Sequence, residues 1–410
     1  MMSNNIKKNF LWNAFGNIVY LGCQWFITIL IARLSGYEDA GVLSLAMSIS
    51  ATFQSLALFG IRNFQVSDIS CKYSDTCYVG LRNYTCFLAL VLCMLFAAAN
   101  NYSFDIVIAT FWFMIFRLSE NYSDVLHGIF QKNERLYLAG RSLFIKGILL
   151  LVGFVVGFYA LGTLNGGLGI MALMAVCVTF LIDFPLAKRL SDFDPYDNFG
   201  NCICLAKETL PLCIYMFLNS IIATAPKYIL EKMCDEELLG VYSSIFAPAL
   251  LIQAAAQYIY MPFISRFALM YEKKDITGFN SLSKKILTII LGIGGAVLAV
   301  SVPLGKFGLQ FLFGETITEY VELLYLIIVG AFCTAINAFY QSLAIVLREM
   351  KQLVISCAVG IIVCCIVSVI AIRGISADGA SIRLISGTAV STIILYVNID
   401  RNLKKFNMEE

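Results

Sequence analysis

The chain has 410 residues and a formal net charge of +2; 60% of its residues are hydrophobic and only 14% are charged. Soluble domains carry about 25% charged residues, so an ordinary soluble domain is excluded. The small net charge gives no long-range attraction to nucleic acid, and no nucleic-acid partner is expected. The apolar residues fall in long runs without two-residue alternation, which favours membrane-spanning helices over a β-barrel.

Twelve long apolar segments follow one another along the chain. The first is preceded by Lys7 and Lys8. It is too long for the apolar core of a signal peptide and lacks a cleavage site of small residues, so a retained first helix is predicted. The predicted spans are 10–33, 39–60, 84–100, 104–125, 143–161, 168–187, 209–230, 240–264, 286–303, 320–346, 352–372 and 378–398.

The cationic residues favour one side of this predicted membrane. If the segments alternate in direction, 23 of the 29 Lys and Arg residues lie on the side of the N-terminus. The other side receives only Arg33, Lys227, Lys232, Lys306, Arg373 and Arg383. Short loops rich in Lys and Arg stay in the cytoplasm during insertion. Both termini are therefore predicted to be cytoplasmic.

An internal similarity divides the twelve segments into two halves. Residues 29–44 match residues 228–243 at an offset of 199 positions, and each stretch covers the turn between the first two helices of its half. A hydrophilic stretch at 191–207 separates the halves. The predicted fold is an all-α integral membrane protein of about twelve helices in two pseudo-symmetric six-helix bundles, 1–190 and 208–410, joined by a cytoplasmic linker.

Three of the predicted helices carry polar side chains at spacings of three and four, which place them on one helix face. Amides and hydroxyls cannot face lipid unsatisfied, so these faces meet protein or water. They form either the wall of a hydrated cavity suited to sugar hydroxyls or hydrogen bonds between helices, of about 0.6 kcal/mol each. The residues are Asn13, Asn17, Tyr20 and Gln24; Gln253, Gln257 and Tyr260; and Thr334, Asn337 and Gln341.

Several ionisable residues fall inside or at the ends of the apolar segments. A charge at the bilayer centre costs roughly 2.5–3.5 kcal/mol, so such residues commonly face the protein interior and serve function. Cations could bind a phosphate and carboxylates could take up protons. For the residues near helix ends, the alternative is that they reach the interface. The set is Arg62, Arg117, Lys227 and Arg266, with Glu120, Asp124 and Asp183.

The remaining motifs exclude several functions. The chain has 14 Cys and one His but no C-x-x-C pair, so packing cysteines and no metal site are predicted; the pair Cys202 and Cys204 is the nearest approach to one. The sequence has no Gly-rich phosphate loop ending in Lys-Ser or Lys-Thr and no G-x-S-x-G elbow. Energy for transport would come from an ion gradient or a partner. No catalytic residue and no cofactor are predicted.

Two stretches resemble a known family. Residues 29–34 with Gly36, Glu38 and Gly41 resemble the first-loop signature of the polysaccharide biosynthesis and export proteins, within the multidrug/oligosaccharidyl-lipid/polysaccharide flippase superfamily. Residues 58–65, followed by Asp68, are similar to the second-helix exit of O-antigen unit flippases.

This resemblance implies a flippase, not an enzyme, in the bacterial inner membrane. It would move an undecaprenyl-pyrophosphate-linked oligosaccharide, an O-antigen repeat unit, from the cytoplasmic to the periplasmic leaflet by alternating access. Coupling to H⁺ or Na⁺ is expected, as are membrane lipids, a polysaccharide polymerase and a chain-length regulator as partners.

Carried onto this chain, Arg62, Arg117, Lys227 and Arg266 become contacts for the pyrophosphate, and Glu120, Asp124 and Asp183 become coupling carboxylates. Two alternatives stay open. One is a multidrug or organic-cation exporter of the same superfamily, which would favour an acidic, aromatic pocket. The other is a membrane glycan polymerase or glycosyltransferase, although the predicted outer loops are short for such a site.

Overall fold

The structure is a computed structural model that describes residues 2–68, 72–197, 199–233, 236–371 and 377–408. Arg373, counted above among the outer cations, lies outside the described residues. The chain divides into two compact units, Met1–Phe217 and Leu218–Glu410. The border falls within one long helix. The linker predicted at 191–207 and the bounds of the two halves stay predictions.

The described residues of the first unit are helical apart from their connecting segments, the longest of which precedes the helix that begins at Phe199. A π-helical turn at Thr179–Asp183 joins the seventh and eighth α-helices into one continuous helix. The helices are α1 (Met2–Leu34), α2 (Tyr37–Leu58), α3 (Ile61–Ser67), α4 (Asp75–Ala99), α5 (Phe104–Lys132), α6 (Tyr137–Leu161), α7 (Leu164–Val178), α8 (Phe184–Lys188) and the first part of α9 (Phe199–Met233).

The second unit has a similar order of elements. In the first unit the short α3 follows α2 and carries Arg62. In the second, a 3-10 turn at Met261–Phe263 and a short helix follow the second long helix, and that short helix carries Arg266. Its helices are the rest of α9, α10 (Glu236–Tyr260), α11 (Ile264–Glu272), α12 (Ile276–Phe313), α13 (Val321–Val346), α14 (Met350–Ala371) and α15 (Ala377–Met408).

Eleven helices of the described chain are long and apolar enough to cross a membrane. The fourth predicted span is missing from that set because α5 carries several charges within its apolar sequence. Its 29 residues give a length of about 43 Å, enough to cross a hydrocarbon core of about 30 Å. The predicted class, a helical multi-pass membrane protein with about twelve spans, is confirmed.

Local sequence signals set several helix ends. Ser74, Ser103 and Thr163 accept hydrogen bonds from the backbone N–H groups of the first turns of α4, α5 and α7, as N-cap residues do. The α2 helix ends at Phe59 and Gly60, whose φ angles of 50° and 67° are left-handed. This break turns the chain into α3 and sets the direction in which Arg62 leaves the backbone.

Glycines bring the helices of the first unit into backbone contact. A Cβ added to Gly16 would lie 1.9 Å from the carbonyl oxygen of Gly140, where α1 crosses α6. The motif Gly153-x-x-x-Gly157 faces α7, and a Cβ at Gly157 would lie 2.7 Å from the carbonyl oxygen of Gly166. Small residues allow close approach of helices in membranes. The α6 helix is therefore held tightly on two sides.

Candidate functional site

The ionisable residues of α5 lie inside the first unit. Arg117, Glu120 and Asp124 follow each other at i, i+3 and i+7, and α5 packs against α2, α4 and α7. Residues at this spacing share one face of a helix. Polar and charged side chains of α5 meet side chains of other elements of the unit in three clusters.

The first cluster joins α1 to α5 around the carboxylate of Glu120. Arg117 Nη1 donates to Glu120 Oε2 at 2.6 Å. The other carboxylate oxygen accepts from the hydroxyl of Tyr20 and from Gln24 Nε2, the latter at 3.4 Å. The guanidinium of Arg117 also lies over the rings of Phe113 and Phe116, at 5.1 and 5.3 Å from their centroids.

Arg117 and Glu120 are mostly removed from solvent, with side-chain exposures of 17% and 15%. Removing one partner of a pair this buried would leave an uncompensated charge, which is costly. The polar face predicted for α1 is thus partly explained, because Tyr20 and Gln24 donate hydrogen bonds to Glu120. Asn17 Nδ2 donates to the backbone oxygen of Asn13 at 2.7 Å, within α1 itself.

The second cluster holds Asp124 between two arginines. Arg62 Nη1 lies 3.1 Å from Asp124 Oδ1, and Arg82 Nη2 lies 3.1 Å from Asp124 Oδ2. Arg62 also donates to Gln131 Oε1 at 3.1 Å. Arg82 is fully buried and donates to the carbonyl oxygen of Ala57. One carboxylate therefore meets two guanidinium groups.

The third cluster surrounds the π-helical turn. Lys146 Nζ donates to Ser123 Oγ at 2.6 Å and to Thr179 Oγ1 at 3.0 Å, and it lies 3.9 Å from Asp183 Oδ2. His127 Nε2 lies 3.4 Å from the other oxygen of Asp183. Lys146 and Asp183 have side-chain exposures of 1% and 0%. Asp183 is thus an interior group and does not reach the interface.

Polar residues of the second unit form a hydrogen-bonded network between helices. Asn337 Nδ2 donates to the backbone oxygen of Thr388 at 3.2 Å and to Thr392 Oγ1 at 3.0 Å. Gln341 Nε2 donates to Asn337 Oδ1 at 2.6 Å and to Asn219 Oδ1 at 2.7 Å. These bonds join α9, α13 and α15. For this helix the structure favours the interhelical alternative, because Asn337 and Gln341 are both 4% exposed.

The other predicted residues of the second unit lie apart from that network. The ammonium of Lys227 lies over the ring of Phe246 at 5.3 Å, and Arg266 is exposed on α11. Tyr260 is buried against Phe339. Along α10, Gln253 is half-buried and Gln257 is exposed. Their predicted roles in substrate binding stay predictions.

A groove of about 600 Å³ opens within the second unit, between α12, α13 and α15, and Thr392 of the network lies in its lining. Its wall is mostly apolar, with Leu287, Ile336, Tyr340 and Tyr396, and Lys284 lies among its polar residues. Its lining, so far as the described residues show it, includes none of the site residues predicted from the sequence.

Sequence reasoning missed Arg82 as a site residue. The start of the third span was predicted at residue 84, whereas α4 begins at Asp75, so Arg82 was assigned to a cytoplasmic loop. The capping residue Ser74 followed by Asp75 is the signal that could have corrected the start. Ser123 and Thr179 were also missed because single hydroxyls in apolar helices are common.

Comparison with known proteins agrees with this architecture. The chain shares its fold with solved structures of membrane transporters. The chain superposes on the lipid II flippase MurJ in an inward closed conformation (TM-score 0.74, 13% identity, covering 97% of this chain and 90% of that one). It also superposes on an inward-facing multidrug resistance MATE family transporter (TM-score 0.71, 14% identity, covering 95% of each).

In sequence, the chain is similar to the capsular polysaccharide biosynthesis protein CapF of Staphylococcus aureus. The two are 28% identical over 324 residues, which cover 77% of this chain and 78% of that protein. No protein-family model matches the chain. The resemblance to polysaccharide biosynthesis proteins of the flippase superfamily, predicted from residues 29–41 and 58–68, is confirmed.

Proposed function

We propose that the chain is a flippase that moves an undecaprenyl-pyrophosphate-linked oligosaccharide from the inner to the outer leaflet of the bacterial cytoplasmic membrane. The observation that carries this proposal is the similarity to a capsular polysaccharide biosynthesis protein over three quarters of the chain, in a protein with a transporter fold. An O-antigen or capsular repeat unit would be the cargo, moved by alternating access.

The charges of the first unit support an anionic head group. Its three clusters contain four cations, Arg62, Arg82, Arg117 and Lys146, against the carboxylates of Glu120, Asp124 and Asp183. The surplus of positive charge, in a site largely removed from water, would favour a pyrophosphate. The same surplus of positive charge would repel an organic cation.

Arg117 is the best phosphate ligand of the set. Its present carboxylate contact is a single hydrogen bond from Nη1 to Glu120, whereas a phosphate can accept two parallel hydrogen bonds from a guanidinium and carries more charge. In this scheme Glu120 holds Arg117 in place until the head group arrives and exchanges with the carboxylate. Arg62 shares Asp124 with Arg82, so it can leave Asp124 without stranding a carboxylate.

Ion coupling, where it occurs, would use Glu120 before Asp183. Lys146 already supplies a positive charge among the oxygen atoms of Ser123, Thr179 and Asp183, in the position that a monovalent cation would otherwise take. Glu120 instead keeps two exchangeable neutral donors, Tyr20 and Gln24. Asp124, paired with two arginines, would be the weaker candidate.

The proposal is tested by reconstitution in liposomes with a fluorescent undecaprenyl-pyrophosphate oligosaccharide whose outward-facing fraction is quenched by a membrane-impermeant reagent. We expect the wild type to equilibrate the label between leaflets and Arg117→Gln to slow this at least tenfold. Arg141→Gln is the matched control, because Arg141 is exposed on α6 and stacks on Trp12 and Tyr137. Wild-type protein that leaves the label in its original leaflet would refute the proposed function.

The similarity of fold to a multidrug transporter favours one alternative, export of organic cations. A strain that expresses the chain should then tolerate higher concentrations of cationic drugs, and Glu120→Gln should abolish that tolerance. Unchanged drug sensitivity together with lipid-linked oligosaccharide flipping would exclude this alternative.

A further inference from the structure

Two cysteines and an aspartate meet at one end of the first unit. Cys77 lies in the first turn of α4, Cys202 in the first turn of α9, and Asp197 in the segment that leads into α9. Their Sγ and carboxylate oxygen atoms lie within 4.8 Å of one another. The thiols of Cys77 and Cys202 are 2% and 1% exposed, and Asp197 is half-buried.

This arrangement is held by contacts that do not involve the three groups as ligands. The backbone N–H of Asp194 donates to Thr76 Oγ1 at 3.1 Å, and Asn83 Nδ2 donates to the carbonyl oxygen of Pro195 at 2.5 Å. Both bonds fasten the segment before α9 to the first three turns of α4. The three side chains therefore converge because the backbone brings them together.

Two further features fit a binding site. Asn201 Nδ2 donates to Asp197 Oδ1 at 3.4 Å, an orienting contact of the kind that supports metal-ligating carboxylates. Gly80 lets α4 approach the cluster closely, since a Cβ there would lie 3.1 Å from Asp197 Cβ and 3.4 Å from Cys202 Sγ. The half-buried carboxylate provides a route from solvent.

We propose that Cys77, Asp197 and Cys202 form a binding site for a zinc-class divalent cation. Two thiolates and a carboxylate are ligands that zinc takes in tetrahedral sites, and a water molecule would complete the fourth position. Binding replaces the two thiol protons, which pass to solvent, so three negative ligands face a charge of +2. No electron transfer is involved.

The ligands join elements that are far apart in sequence. Cys77 and Cys202 belong to α4 and α9, and the border between the two compact units falls further along α9. A bound cation would fasten the first turn of α9 to the first turn of α4 within the first unit, so its expected effect is on stability. This inference is independent of the transported substrate.

The test uses the full chain purified in detergent, first stripped with a chelator and then titrated with Zn²⁺ or Co²⁺ alone. We expect about one zinc per chain by elemental analysis and thiolate-to-cobalt absorption bands with Co²⁺. Cys77→Ser and Cys202→Ser should each lose at least tenfold in affinity and lose the bands. Cys204→Ser is the matched control, two residues along the same helix but exposed, and should bind as the wild type does.

A substitution of the orienting residue separates ligation from packing. Asn201→Ala should keep both thiols and the cobalt bands but weaken binding by about 10–100-fold. Melting of the stripped variants should match that of the stripped wild type, which would show that they fold. Absence of stoichiometric metal with two alkylatable thiols, a disulfide between Cys77 and Cys202, or full retention of zinc in Cys77→Ser would each overturn the proposal.

Discussion

At the scale of single residues, Lys146 shows how the first unit tolerates charge in its interior. Its ammonium lies 2.6 and 3.0 Å from two hydroxyl oxygens and 3.9 Å from a carboxylate oxygen, with 1% of the side chain exposed. The ligands resemble those of a small cation site, but here the cation is covalently attached to the protein. Lys146 is therefore the counter-ion of Asp183, and its ammonium occupies the position in which a free cation would bind these oxygen atoms.

Replacing Lys146 by Met should leave Asp183 with His127 as its only ion-pair partner among the described residues. Removing one member of a buried pair costs about 3–5 kcal/mol, so Lys146→Met should lower the melting temperature of the purified protein markedly. Lys404→Met is the control, because Lys404 and Asp400 form an exposed pair on α15, with side-chain exposures of 68% and 37%, and its loss should leave the melting temperature nearly unchanged.

The same substitution also tests the proposed role of Lys146 as a tethered cation. Adding Asp183→Asn should restore most of the stability lost in Lys146→Met, because the uncompensated charge disappears. If the double variant melts below the single one, the electrostatic account of this cluster is wrong and packing dominates.

Glu120 gives a second prediction at this scale. Glu120→Gln keeps the shape and the contacts to Tyr20 and Gln24 but removes the charge that opposes Arg117. If Glu120 couples transport to an ion, flipping in liposomes should continue while losing its response to an imposed H⁺ or Na⁺ gradient. A gradient response equal to that of the wild type would remove Glu120 from the coupling step.

At the scale of elements, the close crossing of α1 and α6 is decided by two glycines. A Cβ added to Gly16 would overlap the carbonyl group of Gly140, with distances of 1.9 and 2.7 Å to its oxygen and carbon. No side-chain movement relieves a clash with backbone, so α1 would have to shift as a whole. Because Tyr20 and Gln24 lie on α1, this crossing determines the positions from which they donate to Glu120.

Gly16→Ala should therefore destabilise the first unit and displace the donors of Glu120. We expect a large fall in melting temperature, measured by fluorescence-detected size exclusion after heating. The matched control is Gly22→Ala on the same helix, where an added Cβ meets nothing within 4 Å. Equal behaviour of the two variants would contradict the crossing described here.

The α5 helix shows how an element can be a span without a purely apolar sequence. It carries Arg117, Glu120 and Asp124, yet its charged face is covered by side chains of α1, α3 and α4. In lipid alone each charge would cost roughly 2.5–3.5 kcal/mol. Its stability as a span therefore depends on the other helices of the unit.

At the scale of the whole molecule, the distribution of Lys and Arg predicts the orientation. Both termini should be cytoplasmic, and the two ends of α12 should lie on opposite sides. A reporter fused after Lys274 should fluoresce as a cytoplasmic fluorescent protein, and one fused after Gly314 should show periplasm-type alkaline phosphatase activity. The reverse pattern would invert every assignment of inner and outer residues made above.

The sequence by itself determined the class of protein, the approximate number of spans and the helices that carry charge. These follow from the length of apolar runs and from the spacing of ionisable residues, which depend on local composition alone. Segment ends were less well predicted: α4 begins nine residues and α9 ten residues before the predicted starts of 84 and 209, because hydrophilic first turns carry no hydropathy signal.

Only the tertiary structure decided which charged groups meet. Arg82 and Asp124 are 42 positions apart, and Tyr20 and Glu120 are 100 apart. Cys77 and Cys202 are separated by even more of the chain, so a search for closely spaced ligands could not pair them. Hydropathy and helical spacing report on neighbours within one helix, whereas an ion pair or a ligand set is made where helices cross, and the crossings are set by packing between distant segments.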